Sequence, residues 1–266
     1  MKSITIEEIK DLELEILKYV DKFARKEGIE YFLASGTLLG AVRHQGFIPW
    51  DDDIDIYMPR QSYDIFVKKF NDIESRYRLL DVSNTKDYPY AFAKVIDLTT
   101  EIDEYRFKPY KAGVYIDVFP LDDVGNNMES IIKVNRQLNK YRQLLTFKTV
   151  RLSYYHGLKK IGILIAKIAA LFYKREKLIS KIDALSQCLR SDNSTYIACM
   201  VMLSYGIREV YNKSWFEECV ELKFEGQSFR APKGYVDVLT SMYGEYMKLP
   251  PKEKQVTHHS FDAWYK

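Results

Sequence analysis

Cysteine is scarce in this chain. Cys188, Cys199 and Cys219 are the only three, an odd number with no CxxC spacing, which argues against a disulfide framework or a paired-cysteine metal site and for free thiols in a reducing compartment. Glycine and proline are also sparse, at 12 and 8 in 266 residues, which excludes a disordered or linker-like chain. Excess charge is nearly absent: 40 Lys and Arg against 37 Asp and Glu leave +3, too little to recommend a nucleic-acid partner. There is no long hydrophobic run. The most apolar stretch, 161–173, contains Lys167 and falls short of the roughly 20 residues that a spanning helix needs. The segment 1–20 mixes acids into its apolar positions, unlike a signal peptide, so a cytoplasmic location is expected.

What is present is 47% apolar and 14% aromatic residues, including 21 tyrosines. This is a globular composition with enough chain for a full core, and tyrosine suits clefts that are part apolar and part wet. Apolar positions at three- and four-residue steps predict a helix over 4–27 stopped by Gly28. A short strand over 31–34 follows, then a helix to about His44 that Thr37 can cap. Alternation predicts a strand over 53–57, and a helix is expected over 61–73. Strands are expected over 77–82, 91–96 and 114–119, a hairpin over 221–231 around Gly226 and a helix over 234–243. Residues 126–190 have almost no Gly or Pro and many Lys, Arg, Leu and Ile, the pattern of two or three helices forming a lobe.

The chemistry concentrates in ASGTLLGAVRHQGFIPWDDDIDIYMP, residues 34–59. Backbone N–H groups of Ser35, Gly36 and Thr37 at a helix start offer a cradle for phosphate oxygens. Asp53 and Asp55 are one residue apart in a strand, so both carboxylates leave the same face while Ile54 and Ile56 enter the core. Adjacent carboxylates repel, and a divalent ion with a preference for oxygen, Mg²⁺ or Mn²⁺, relieves the repulsion. Asp117 lies between Ile116 and Val118, where an unpaired charge is expensive, and it is the candidate third carboxylate. Asp51 and Asp52 read as a solvated acidic turn, with Asp51 a further candidate ligand; Asp122 and Asp123 read as loop acids. Arg43 is placed either to grip a phosphate or to satisfy helix-end carbonyls. Lys94, inside an apolar strand, calls for a phosphate or carboxylate partner. Trp50 and Tyr57 flank the acids and could stack on a base or enclose a choline head, with core packing the favoured role for both, and His258-His259 reads as structural or surface. Lys160, Lys167 and Lys174 recur every seven residues beside an aliphatic surface. Either that helix is buried with its lysines in solvent, or residues 153–177 lie against an anionic membrane.

The run SGTLLGAVRHQGFIPWDDDIDI resembles the signature of the LicD family, related to fukutin-type proteins within the polymerase-β-like nucleotidyltransferase superfamily. GVYIDVFPLD and RAPKGYVDVLTSMYGEYMKLPP resemble two further blocks of that family; residues 126–190 resemble none. The resemblance implies a nucleotidyltransferase-like mixed-sheet core, and with the pattern of 126–190 the expected fold is α+β, with flanking helices and a helical lobe. The expected division is a catalytic core (1–125), a helical lobe (126–190) and a C-terminal α+β segment (191–266) completing the cleft. The resemblance also implies Mg²⁺ dependence and transfer of a phospho-alcohol, typically phosphocholine from CDP-choline, to a hydroxyl of a glycan such as a teichoic acid or lipopolysaccharide precursor. Metal ligands then fall on Asp53, Asp55 and Asp117, with Asp51 in reach, and the phosphate loop on Ser35 and Gly36. A lipid-linked acceptor would place the enzyme peripherally at the inner face of the membrane. Two other readings stand beside this one: a nucleotidyltransferase releasing pyrophosphate, and a non-catalytic glycan-binding protein.

Overall fold

The computed structural model describes residues 2–257 and 259–266. From the N-terminus run β1 (Lys2–Ser3), α1 (Ile6–Glu27), β2 (Phe32–Leu33), α2 (Ser35–His44), β3 (Asp55–Pro59), α3 (Arg60–Lys69), β4 (Tyr77–Leu80), β5 (Ala93–Asp97), β6 (Thr100–Glu104) and β7 (Tyr115–Asp123). Three helices follow, α4 (Met128–Thr149), α5 (Gly157–Ala170) and α6 (Arg175–Ser186). The chain ends with β8 (Tyr196–Ala198), β9 (Val210–Asn212), β10 (Cys219–Phe224), β11 (Gln227–Pro232), α7 (Tyr235–Tyr243) and β12 (Phe261–Tyr265).

The fold is α+β around a mixed sheet of order β2-β3-β7-β5-β4, extended by β8 and β9 from the far end of β7. Only β3 and β7 run parallel in it; the other pairings are antiparallel. A smaller sheet, β1-β12-β6, joins the two ends of the chain to the core, and β10-β11 is the expected hairpin. Helix α1 forms as its sequence dictates. Thr5 and Glu8 make a reciprocal capping box and Gly28 closes the helix at φ 66°, a left-handed conformation that glycine adopts without a Cβ penalty. Its buried face carries Ile9, Leu12, Ile16, Leu17, Val20 and Phe23, and also Glu13.

Two expectations are corrected here. Strand β7 continues through Pro120 to Asp123, so Asp122 and Asp123 are strand residues, and Asp122 is buried. It holds Arg60 through two hydrogen bonds of 2.6 and 3.1 Å, a pairing that offsets the cost of burying both charges. Tyr57 is sealed in the core, the packing role expected for it. Within α5, Lys167 turns inward and donates to the carbonyls of Phe147 and Val150, while the aliphatic side faces out. The expected arrangement, lysines out and aliphatics in, is reversed at that point.

Candidate active site

The register of the central strands aligns three charged residues. Asp55 on β3 is the partner of Asp117 on β7, and Asp117 is in turn the partner of Lys94 on β5. Cross-strand partners project to the same face of a sheet, so the row Asp55, Asp117, Lys94 crosses three neighbouring strands. Lys94 is fully buried, and its Nζ donates to Asp117 Oδ1 at 2.6 Å. The ammonium also lies 3.3 Å from the ring centre of Tyr115 and 4.4 Å from that of Tyr90, an aromatic setting that supports a desolvated cation. The carboxylate partner anticipated for Lys94 is therefore Asp117.

The loop before α2 is tied to this row. Ala34 N donates to Asp55 O at 3.0 Å and Asp55 N donates to Thr37 Oγ1 at 2.8 Å. Thr37 is thus a brace between α2 and the acidic strand; it does not cap the helix, whose N-cap is Ala34 without a side-chain hydrogen bond. Ser35 has φ 45°, a left-handed backbone that costs a non-glycine residue about 1–3 kcal/mol, which is offset by the surrounding tethers. A Cβ on Gly36 would lie 2.6 Å from Asp51 Oδ2, so the glycine lets the Asp51 carboxylate approach the start of α2.

Asp53 precedes β3 and reaches solvent, while Asp51 and Asp55 are half-buried. The protein massed around it removes solvation and, with Asp51 and Asp52 adding repulsion, raises the Asp53 pKa to about 7. Burial, then Asp53 and Asp117, push Asp55 well above the carboxylate range. Asp117 is raised to about 6 by burial, against the pull of Lys94. Beneath them lies Glu13, buried on α1, its pKa raised well above the usual value by burial and then by Asp53, Asp52, Asp117 and Asp55. Its Oε2 has no hydrogen-bond partner among the described residues. Glu13 escaped the sequence reading; its signal was an acid at an apolar step of α1, between Leu12 and Ile16.

These carboxylates outnumber the cations near them, and their donor set is all oxygen, the chemistry that Mg²⁺ and Mn²⁺ take. Among the described residues no three His, Cys, Asp or Glu side chains already stand as a metal-binding group. Ligation would therefore need side-chain adjustment, with Lys94 holding only Oδ1 of Asp117. The crowding of unneutralised acid fits a divalent cation at Asp53, Asp55 and Asp117, with Asp51 beside them.

Other candidates fall elsewhere. Arg43 donates to the Tyr246 carbonyl at 2.9 Å and to His44 Nε2 at 2.9 Å, so it joins α2 to the C-terminal segment. Trp50 is half-buried against the core, edge-on to His44. Asp52 is not a solvated turn residue: it is buried and paired with His259 Nδ1, so the C-terminal segment reaches the acidic run. His258 lies outside the described residues.

The model of the LicD/FKTN/FKRP nucleotidyltransferase domain matches residues 28–163, which include β3, β5 and β7. The chain is 32% identical to the lipopolysaccharide cholinephosphotransferase LicD of Haemophilus influenzae over 272 aligned positions, covering 99% of each protein. A stretch of 42 residues is 45% identical to the ribitol 5-phosphate transferase FKRP of mouse and of human, covering 16% of this chain and 8% of either relative. With the domain model spanning the acidic strand and the full length aligned to one of its enzymes, the chain belongs to the LicD family.

Proposed function

We propose that the protein transfers phosphocholine from CDP-choline to a hydroxyl of a cell-surface glycan precursor, of the lipopolysaccharide or teichoic acid kind, and releases CMP. The observation that carries this reading is the row Asp55, Asp117, Lys94 with Asp53 beside it, in a full-length relative of a cholinephosphotransferase. In the reaction the acceptor oxygen bonds to the phosphorus that bears choline, the bond from that phosphorus to CMP breaks, and the hydroxyl proton departs. Asp117 would receive that proton, its pKa raised to about 6 by burial against the pull of Lys94. Asp53 and Asp55 would hold Mg²⁺ or Mn²⁺ with Asp117, and the ion would supply charge neutralisation at the donor diphosphate. Ser35, Gly36 and Thr37 begin α2 beside Asp51 and Asp55, where backbone N–H groups suit phosphate oxygens.

A cavity of about 430 Å³ supports choline as the alcohol. It is lined in part by Tyr90, Tyr105, Phe107, Tyr154 and Glu104, with Arg106 over the Phe107 ring at 5.5 Å, and it reaches His259 beside Asp52. Tyr105 and Tyr154 with the Glu104 carboxylate suit a quaternary ammonium, whereas Arg106 in the same wall suits the phosphate beside it. Cytidylyl or other nucleotidyl transfer is the second reading, favoured by the domain description. A purely glycan-binding role is disfavoured, because unneutralised buried acids only destabilise a fold that does not use them. The test is CMP release from CDP-choline, CDP-ribitol and CDP-glycerol with Mg²⁺ and candidate glycans. Preference for CDP-choline is expected; preference for another donor overturns the alcohol, and no CMP from any donor overturns the reaction class.

A further inference from the structure

Helix α5 shows an inverted amphipathic arrangement. Its inward side, Ile163, Ala166, Lys167 and Ala170, is half-buried or buried. Outward stand Leu158, Ile161, Ile165 and Ile168, continued by Leu171 and Phe172, with Leu158 and Phe172 exposed to 87% and 88%. Water is a poor environment for such a surface, and a contiguous apolar patch of this kind marks an interaction site. The helix has 14 residues, about 21 Å at 1.5 Å per residue, which is too short to cross the roughly 30 Å of a bilayer core. No helix among the described residues is long and apolar enough to span.

At the end of this face lies a basic pocket of about 360 Å³ whose walls include Lys108, Lys148, Lys167 and Lys174, with Leu171 and Tyr173 of the exposed surface on its rim. Its two acids, Asp87 and Glu176, are both taken by Arg175, at 3.1 and 2.6 Å. None of the four lysines has a carboxylate partner among the described residues. Capping of helix ends accounts for Lys167, which bonds carbonyls at the end of α4, and for Lys148, 3.4 Å from Ala170 O. It accounts neither for Lys108 and Lys174 nor for the aliphatic face. Burial and the neighbouring Lys108 and Lys148 lower the pKa of Lys167, which reflects ammonium groups crowded without a counter-anion.

We propose that α5 and the turn after it dock on an anionic phospholipid surface, the aliphatic face entering the headgroup–acyl boundary and the lysine pocket taking a headgroup phosphate. Charge and hydrophobicity point to the same occupant. A surface of this composition lies in the interfacial plane, held by apolar burial together with attraction to anionic lipid. This goes beyond the transferase reading and does not depend on it.

The test uses the full chain with phosphatidylcholine vesicles prepared with and without phosphatidylglycerol, scored by flotation. Binding is expected chiefly with phosphatidylglycerol and should fade as salt rises. Replacing the exposed Lys108 and Lys174 together by Gln should weaken it about thirtyfold at low salt. Ile161→Ser with Phe172→Ser should weaken binding to both vesicle types while leaving the melting temperature unchanged, because both side chains are exposed. A wild type that ignores phosphatidylglycerol vesicles overturns the proposal, as does binding that neither double variant alters. A concentration-dependent dimer that Ile161→Ser with Phe172→Ser abolishes, without vesicle binding by the wild type, assigns the face to a second copy of the chain.

Discussion

Single residues in this site carry opposed demands, and their titration exposes them. An acid whose pKa rises on folding keeps its proton where the unfolded chain has lost it, so stability falls as pH climbs from the unfolded value, about 4. For Asp53 that window extends to about 7, and Asp55 and Glu13 are shifted in the same direction. Without a divalent ion the protein should therefore melt lower at pH 8 than at pH 5.5, and Mg²⁺ should raise the melting temperature at pH 8 far more than at pH 5.5. Asp53→Asn and Asp55→Asn should each abolish turnover while raising the metal-free melting temperature at pH 8, since each removes a repelling charge. Near-normal turnover of both variants at saturating Mg²⁺ would remove these residues from the site. Burial raises the Asp122 pKa as well, to about 6, against the pull of Arg60, but its charge has a cation paired to it. Asp122→Ala strands the buried Arg60 guanidinium, left with Asp183 at 2.8 Å at its outer end, and should cost about 3 kcal/mol of stability in a denaturant titration.

Elements matter here through the way they are tied. Helix α2 and strand β3 meet through Thr37 Oγ1, which accepts from Asp55 N at 2.8 Å. Thr37→Val keeps the shape but leaves that amide without its acceptor, a loss of about 1–3 kcal/mol. It should lower both stability and turnover, and Thr37→Ser should restore them; a valine variant with unchanged turnover would show that the brace is unimportant. Much of this architecture was legible from periodicity. The helix ending at Gly28, the acidic strand, the hairpin at Gly226 and the helices in 126–190 follow from patterns carried in single segments. Strands β6 and β12 were not legible, because Thr100–Glu104 and Phe261–Tyr265 gain their structure from pairing with each other across a separation of more than half the chain. The same limit applies to the site. Alternation put Asp53, Asp55, Asp117 and Lys94 forward, but no local pattern joins His259 to Asp52 or brings Glu13 beneath the acids. Local pattern also misjudged Asp122, whose partner Arg60 lies on a different element.

For the whole molecule, one parallel strand pair within an otherwise antiparallel arrangement sets Asp55 beside Asp117, and the two chain ends close the smaller sheet behind them. This scaffold holds a cluster of acids, and in the proposed reaction a cation and a donor diphosphate would relieve its repulsion, so the proposal should be judged by which bond of the donor the protein breaks. CDP-choline has two phosphorus atoms, and attack at each gives different products. The most direct measurement separates the products formed from CDP-choline, Mg²⁺ and acceptor glycan by wild type and by Asp55→Asn. The expected result is CMP and phosphocholine-bearing glycan in equal amounts from the wild type, and neither from Asp55→Asn. Free phosphocholine with a cytidylylated glycan would contradict the account, because attack would then fall on the other phosphorus; equal product from Asp55→Asn would contradict it as well.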